Sequence, residues 1–213
     1  MRDVSNGTGL REHVLLFSRF LKSPRTVGAL TPSSRYVADA IVEHVDFDQP
    51  GRIVELGPGT GALTGTIVDR LGPHIDFLAL EIDPEFCRSL QARWPAVDCV
   101  CVSAEALDSV AAARGLLPID HIVSGLPFAT LPQAMTQQIL ENVVKVLKPG
   151  GTFSTFQYVH AYGMPPAANF RRTMSARMGS EPDVRIVVKN LPPALVLTWR
   201  KGVAKPAAAA ARG

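Results

Sequence analysis

The residues best suited to chemistry lie in a glycine-rich stretch between an apolar β-branched run and a segment of helical period, Glu55-Leu56-Gly57-Pro58-Gly59-Thr60-Gly61. Glycines in this context let the backbone pass close to a ligand at a helix N-terminus. The spacing is GxGxG rather than the GxGxxG of dinucleotide sites, and the acid Glu55 stands just before the loop. A carboxylate there repels a pyrophosphate and attracts a sulfonium or ammonium group. The loop therefore predicts a zwitterionic ligand held by Glu55, Gly57, Gly59 and Gly61.

Polar residues follow the next three apolar runs as well. Glu81 ends the second run, where it can accept both hydroxyls of a ribose. Ala104 and Glu105 follow the third run, beside the expected adenine edge, and Ser124 ends the fourth. Strand-end carboxylates also cap helices, and glycines also make ordinary turns. Because these features recur at successive strand ends, together they predict a site for S-adenosylmethionine, with S-adenosylhomocysteine as the product.

The elements that must position these residues alternate between short β-branched runs and helical stretches, which is typical of βαβ units. The predicted strands are 52–56, 76–81, 97–102, 119–124 and 152–158, and the predicted helices are 62–71, 84–93, 104–114, 132–147 and 168–178. The runs 184–189 and 194–200 flank a turn and predict a closing hairpin. The predicted fold class is α/β: a seven-stranded, doubly wound, Rossmann-like sheet with a C-terminal antiparallel hairpin and its ligand beyond the carboxyl strand ends.

Glu55 to Gly61, the triplet Glu81-Ile82-Asp83 and the order of the seven runs resemble the class I S-adenosylmethionine-dependent methyltransferases over roughly residues 30–200. The resemblance implies that Ile82 joins Glu81 in holding the donor. Fold alone does not give the methyl acceptor.

The acceptor depends on the residues after the fourth strand, Gly125-Leu126-Pro127-Phe128. Ribosomal RNA adenine dimethyltransferases carry Asn-Leu-Pro-Tyr there, and their Asn accepts from the adenine amino group. Gly125 has no side chain for that hydrogen bond. With residues 23–29, 32–34 and 190–194, the tetrad instead resembles the bacterial phospholipid N-methyltransferases, which convert phosphatidylethanolamine stepwise toward phosphatidylcholine. RNA adenine methylation, methylation of ornithine lipids, and a donor-binding membrane adaptor without catalysis stay open as alternatives.

The candidates for the acceptor side lie near the fifth strand and the helix after it. Tyr158 and His160 are expected at or just beyond the strand end, as alternate residues facing the same way, where they accept the amine's proton. Phe128 and Tyr158 are candidates for cation–π contact with methylammonium groups. Tyr162 lies two residues beyond His160, and Arg171 or Arg172 is placed to take a lipid phosphate. A packing role for Tyr158 and a plain loop position for His160 are the alternatives.

The two ends of the chain are basic and its middle is acidic. Residues 1–35 hold six basic and two acidic residues, residues 36–170 seven and fifteen, and residues 171–213 nine and two. Residues 10–22 show the pattern of a basic amphipathic helix that can lie on an anionic membrane surface. Packing of that helix on the domain, and a merely solvated basic surface, are the alternatives. The predicted organisation is a membrane-binding helix and linker at 1–30, the methyltransferase domain at 31–204 and an Ala-rich tail at 205–213.

Length and composition limit the remaining classes. A chain of 213 residues with 46% hydrophobic and 19% charged residues predicts a single globular domain. It has no apolar run long enough for a membrane span and no signal-peptide pattern. Its three cysteines form no CxxC pair, so neither a disulfide framework nor a metal site is expected. We therefore expect a cytoplasmic enzyme, peripheral on the inner face of the cell membrane, that acts on an amine phospholipid. A nucleic acid partner is not favoured, and the oligomeric state is open.

Overall fold

The computed structural model describes residues 35–203, so the predicted helix and linker at 1–30 and the tail at 205–213 lie outside the described residues. Its strands are β1 (Gly51–Leu56), β2 (Ile75–Glu81), β3 (Asp98–Cys101), β4 (Ile119–Ser124), β5 (Leu147–Tyr158), β6 (Asp183–Val187) and β7 (Ala194–Arg200). Its helices are α1 (Arg35–Ile41), α2 (Ala62–Val68), α3 (Pro84–Arg93), α4 (Leu107–Ala113), α5 (Gln133–Val146), α6 (Val159–Tyr162) and α7 (Pro165–Met178), with a 3₁₀ turn at Ala104–Ala106.

The strands form one sheet in the order β3-β2-β1-β4-β5-β7-β6, which confirms the predicted fold class. β1 to β5 are parallel, whereas β7 runs antiparallel to both β5 and β6. The chain order reverses between β1 and β4, and ligands of open α/β sheets bind at such a switch point. We call the edge at which the parallel strands end the carboxyl edge, and the opposite one the amino edge.

Helices cover both faces of the sheet because successive strand residues point to opposite sides. Ile53 packs with residues of α1 and α2, while its neighbour Val54 packs with residues of α4, α5 and α7. α3 adds Leu90 to a smaller cluster with Ala79 and Cys99. Strands buried on both faces read as continuous apolar runs, which is why the sequence pattern located them.

Four aromatic rings form the centre of the larger cluster. Phe128 stacks on Phe170 at 4.5 Å with the ring planes 15° apart, and Phe153 and Trp199 complete the group. The Trp199 indole N–H donates to Ser175 Oγ at 3.0 Å. Phe128 is only 5% exposed, so it lies in the core rather than on an open rim for a methylammonium group. This burial favours a packing role over the substrate contact expected from the sequence.

Several element boundaries differ from the sequence expectations for local reasons. β5 starts at Leu147 rather than at 152, because the extended turn Lys148–Gly151 pairs with Lys201 through two backbone hydrogen bonds. α2 ends at Val68, three residues before the predicted end. α1 and α6 were not predicted, and both are short. Tyr158 ends β5 and His160 lies two residues beyond it, as predicted, but α6 begins at Val159, so strand alternation does not relate their side chains.

None of the helices described between residues 35 and 203 combines the length and apolarity needed to cross a membrane.

The aromatic cluster predicts a large loss of stability for Phe170→Ala. Removing a fully packed ring leaves a cavity between Phe128 and Trp199, and such changes cost about 3–5 kcal/mol in the free energy of unfolding. Urea unfolding followed by far-UV circular dichroism measures the change. Phe170→Leu is the matched control and should lose less than the alanine variant. A loss below about 1 kcal/mol for Phe170→Ala would contradict the packing described here.

Candidate active site

The Glu81 carboxylate fixes the glycine loop at the end of β1. Its Oε2 accepts the Gly59 backbone N–H at 2.9 Å, and its Oε1 accepts the Asp83 backbone N–H at 2.9 Å. Burial raises the pKa of Glu81, and these backbone hydrogen bonds act in the opposite direction. A carboxylate offers about four acceptor positions, so each oxygen keeps capacity for a further donor. The arrangement is compatible with the ribose role predicted for Glu81.

The glycine loop and the end of β4 approach each other with no room for side chains. Gly57 has a φ of 70°, and a Cβ there would lie 2.5 Å from Leu126 Cδ2. A Cβ on Gly125 would lie 2.7 Å from the Gly57 carbonyl oxygen. The contact at Gly125 is to backbone and cannot be relieved by a rotamer change, whereas at Gly57 the positive φ itself disfavours any residue with a Cβ. Glycine at both positions therefore sets the width of this part of the site.

Glu55 lies inside the protein against α2. Its Oε2 accepts from the Thr64 hydroxyl at 2.7 Å, while its Oε1 has no hydrogen-bond partner among the described residues. Burial, with a smaller contribution from the nearby Glu81 and against the hydrogen bond from Thr64, raises the pKa of Glu55 to about 8. Without a ligand the carboxyl is therefore mostly protonated at neutral pH. Its uncompensated oxygen is a group that a nearby positive charge would stabilise.

The ends of β3 and β4 complete the donor side. The Ser103 hydroxyl accepts from the Glu105 backbone N–H at 3.3 Å and donates to Glu105 Oε2 at 3.0 Å, beside the buried Ala104. The Asn142 side chain donates to the Glu105 carbonyl at 2.7 Å. Ser124 Oγ donates to the Leu56 carbonyl at 3.4 Å and accepts from the Leu126 N–H at 3.2 Å. The Ser124 hydroxyl therefore links the end of β4 to the end of β1.

The fold thus brings all nine predicted donor residues to the carboxyl edge of β1 to β4: Glu55, Gly57, Gly59, Gly61, Glu81, Ile82, Ala104, Glu105 and Ser124. Sequence reasoning missed Asn142, which holds Glu105, and Thr64, which holds Glu55. A signal existed for Asn142, because it is a polar residue on the buried face of α5. Thr64 carried no such signal.

The acceptor candidates lie at the end of β5 and on the two helices after it. The Tyr158 and His160 rings stack with centroids 5.8 Å apart and planes 8° apart. They are brought together by the turn into α6, and His160 is exposed. Arg171 places its guanidinium 3.6 Å from the Tyr162 ring centroid and donates to the Tyr162 carbonyl and to Gln157 Oε1. Arg172 is exposed and donates to Asn169 Oδ1 at 2.7 Å.

Residues 35–203 place no group of three or more His, Cys, Asp or Glu side chains where it could hold a metal ion. Of the two cysteines on β3, Cys99 is buried and Cys101 is exposed.

Comparison with known proteins extends these observations. A profile of the methyltransferase domain matches residues 54–153. The chain is 32% identical over 148 residues to an ornithine lipid N-methyltransferase of Singulisphaera acidiphila, covering 68% of this chain and 77% of that protein. The chain belongs to the S-adenosylmethionine-dependent N-methyltransferases. It also matches ribosomal RNA small subunit methyltransferase A of Burkholderia cenocepacia at 36% identity over 99 residues, but over only 34% of that protein and 43% of this chain.

Solved structures agree with the fold. The 1,6-didemethyltoxoflavin-N1-methyltransferase of Burkholderia thailandensis, bound to S-adenosylhomocysteine, has a TM-score of 0.66 at 19% identity, over 95% of this chain and 93% of that one. Aeropyrum pernix fibrillarin with bound S-adenosylmethionine has a TM-score of 0.56 at 15% identity, over 78% and 74% of the two chains. The methyltransferase uses S-adenosylmethionine as its methyl donor. Three features of the site fit S-adenosylmethionine: the glycine loop, the unused acceptor positions of Glu81 and the Glu55 oxygen without a hydrogen-bond partner among the described residues.

Glu81→Ala should weaken donor binding at least about 100-fold, since hydrogen bonds to a charged group contribute about 1.5–3 kcal/mol each. The loss includes the anchor of Gly59 as well as the predicted ribose contacts. Isothermal calorimetry with S-adenosylhomocysteine measures the affinity, and thermal melting checks that the variant folds. The exposed Glu141→Ala is the matched control. Unchanged affinity of Glu81→Ala would remove Glu81 from the donor site.

The raised pKa of Glu55 predicts that the folded chain loses stability as the pH rises. Between about pH 4.5 and 8 the unfolded chain has Glu55 ionised while the folded chain keeps the proton, so the free energy of unfolding falls with pH. Burial lowers the pKa of His121 to about 4, so its opposite contribution ends near pH 6.5. Glu55→Gln should therefore reduce the slope above about pH 6.5 by up to about 1.4 kcal/mol per pH unit.

Urea unfolding at a series of pH values measures that slope. Glu81, whose pKa is also raised, leaves a residual slope of the same sign in Glu55→Gln. Glu141→Gln on the exposed face of α5 is the control and should keep the wild-type slope. A Glu55→Gln slope equal to that of the wild type would show that Glu55 is not protonated in the folded chain.

Proposed function

We propose that this methyltransferase transfers methyl groups to the amine headgroup of a membrane lipid, with phosphatidylethanolamine and its mono- and dimethyl forms, toward phosphatidylcholine, as the first candidate. The likeness to an ornithine lipid N-methyltransferase over 77% of that protein is the observation that carries the lipid acceptor. The same likeness makes ornithine lipid the second candidate. Both lipids present an amine that must be held beside the donor's methyl group.

The geometry at Gly125 does not favour RNA adenine methylation. An amide at this position would accept the adenine amino group, but a Cβ here would lie 2.7 Å from the Gly57 carbonyl. Replacing Gly125 with Asn would therefore require the glycine loop to move. The match to ribosomal RNA methyltransferases covers about a third of those proteins, which leaves most of their length without a counterpart.

The reaction requires an unprotonated amine. S-adenosylmethionine supplies a methyl group on a sulfonium: the N–C bond forms, the S–C bond breaks, and the positive charge passes to the nitrogen. An alkylammonium has a pKa of about 10, so the acceptor must lose a proton before attack. His160, exposed and stacked on Tyr158, is in a position to take that proton and release it to solvent.

Tyr158 and Tyr162 supply ring faces for the amine as it gains methyl groups. One face of Tyr162 is occupied by the Arg171 guanidinium at 3.6 Å, and Arg171 also donates to Gln157 on β5. Arg171 thus positions α6 against β5, and the exposed Arg172 is the better candidate for the lipid phosphate. The reaction would take place on the inner face of the cell membrane, with the basic chain ends toward anionic lipid.

The acceptor is tested by turnover of labelled donor on vesicles of phosphatidylethanolamine, vesicles containing ornithine lipid, and ribosomal RNA. We expect label in lipid, and lipid mass spectrometry then identifies the headgroup and the number of methyl groups. Label in RNA, or donor binding with no turnover on either lipid, would overturn the proposal.

His160→Ala should slow lipid methylation about 10²-fold at neutral pH, with recovery at higher pH where the amine is deprotonated without help. Tyr158→Phe should mainly weaken acceptor binding and so raise KM. His74→Ala, an exposed histidine at the amino edge, is the control and should leave both constants unchanged. Full rates in both His160→Ala and Tyr158→Phe would remove them from the acceptor site.

A further inference from the structure

The two edges of the sheet differ in charge. At the amino edge, an aspartate lies at or next to the start of β2, β3, β4 and β6: Asp76, Asp98, Asp120 and Asp183. At the carboxyl edge, the segments that follow β5 and β6 contain no acid at all, since neither residues 158–172 nor residues 186–194 include Asp or Glu. The acids of the carboxyl edge lie at or beyond the ends of β1, β2 and β3, and they include Glu55, Glu81, Asp83 and Glu105. Within residues 35–203, the segments that follow β5 and β6 therefore bring no acidic residue to the place where the acceptor must arrive.

The same half of the carboxyl edge exposes apolar side chains. Val159 and Met164, which follow β5, are 48% and 50% exposed, and Val188, which follows β6, is 73% exposed. Lys189 lies next in the chain, with its Nζ 5.2 Å from the ring centroid of Tyr36 at the start of α1. We call Tyr36, Val159, Met164, Val188 and Lys189 the docking surface. It combines apolar side chains with a cation and an aromatic ring, the composition of a membrane interface.

The apolar character continues along the edge strand. Val184 and Ile186 pair with Leu197 and Leu195, so they share the sheet face on which Phe170 of α7 packs against Trp199. Both β6 side chains are nonetheless exposed, because the described part of the chain provides no cover for this end of that face. The opposite face of β6 is covered, since Arg185 pairs with Glu43 and Val187 packs with residues of α1.

We propose that the docking surface sits on an anionic lipid bilayer, with Val159, Met164 and Val188 at the acyl boundary and Lys189 among the headgroups. The proposal rests on the proposed function, because a lipid amine can reach the donor only if this edge lies close to the bilayer. The position of the surface supports it. Tyr158 pairs with Ala194 of β7, and the Val159 N–H donates to the Pro193 carbonyl at 2.9 Å, so the surface adjoins the acceptor candidates.

A bilayer fits this position better than another macromolecule. A second copy of this chain seated on these residues would cover Val159, which adjoins the acceptor candidate Tyr158, whereas a bilayer would deliver the substrate there. RNA binding depends mainly on many phosphate contacts from Lys and Arg, and the residues that protrude here are chiefly apolar. An exposed apolar patch beside a cation is instead the kind of surface that binds anionic membranes.

The test compares Val188→Ser/Met164→Ser with a matched pair at the amino edge, Val203→Ser/Leu117→Ser, in the full chain. Val203 is 73% exposed like Val188, and Leu117 is 40% exposed. Cosedimentation with vesicles of phosphatidylethanolamine and phosphatidylglycerol measures binding. We expect the docking pair to bind at least tenfold more weakly than the wild type and the control pair to bind unchanged. Equal binding by both pairs would overturn the proposal.

Two further measurements identify what meets the surface. Val188→Trp should show a blue shift of its added tryptophan emission on those vesicles and none in buffer. A blue shift already present in buffer, or a dimer by light scattering that Val188→Ser/Met164→Ser abolishes, would show that residues 1–34 or a second copy covers the surface, and the proposal would be wrong. Binding of ribosomal RNA that the docking pair loses would also overturn it.

Failure of the docking surface and failure of the proposed function give different results. The docking pair should retain wild-type donor affinity, and wild-type turnover on monomeric dihexanoyl-phosphatidylethanolamine, while losing turnover on vesicles. If the wild type methylates lipid and the docking pair keeps its vesicle activity, the docking proposal fails and the function stands. If vesicle binding falls in the docking pair but no amine lipid is methylated by the wild type, the surface stands and the proposed function fails.

Discussion

The buried Glu81 carboxylate is the interaction on which the arrangement of the site depends. A carboxylate taken out of water is costly unless donors compensate it, and here the donors are the backbone N–H groups of Gly59 and Asp83. Satisfying Glu81 therefore ties the glycine loop to the turn between β2 and α3. The loop in turn rests on the Leu126 side chain and on the Gly125 backbone at the end of β4. One electrostatic requirement thus sets the relative positions of three strand ends.

The sheet divides the two substrates of the reaction between its halves. The ends of β1, β2 and β3 provide carboxyl groups, which suit a cationic, hydroxyl-bearing donor. The ends of β5 and β6 provide apolar and basic side chains. β6 makes this second half possible, because it runs parallel to β5 and brings the chain to the carboxyl edge. The β6–β7 turn then lies beside Tyr158, and the antiparallel β7 leads the chain back to the amino edge. In the proposed function the donor arrives from solvent, at the half with carboxyl groups. The acceptor arrives from a membrane surface, at the half with apolar and basic side chains.

The sequence predicted elements well where the signal was local. β7 and α3 have the predicted bounds, and α3 is capped by Asp83, because capping and burial are encoded by neighbouring residues. The sequence was a poor guide where a side chain's surroundings depend on how separate elements pack together. Phe128 resembled a rim aromatic by its motif, but it stacks on Phe170, a residue 42 positions away that no local pattern connects to it. His160 was assigned by strand alternation, which ends where α6 begins. The burial that governs Glu55 was equally invisible, because its Thr64 contact depends on how α2 packs.

Glu55 and Glu81 together explain why a site for a cation can exist before the cation arrives. Two buried carboxyl groups that interact cannot both ionise at low cost, so the more deeply buried Glu55 keeps its proton, with its pKa raised to about 8. That proton removes the electrostatic repulsion between Glu55 and Glu81. A positive charge held at this edge favours loss of the same proton, because it stabilises the ionised carboxyl. Donor and proton are therefore alternative ways of balancing one buried charge.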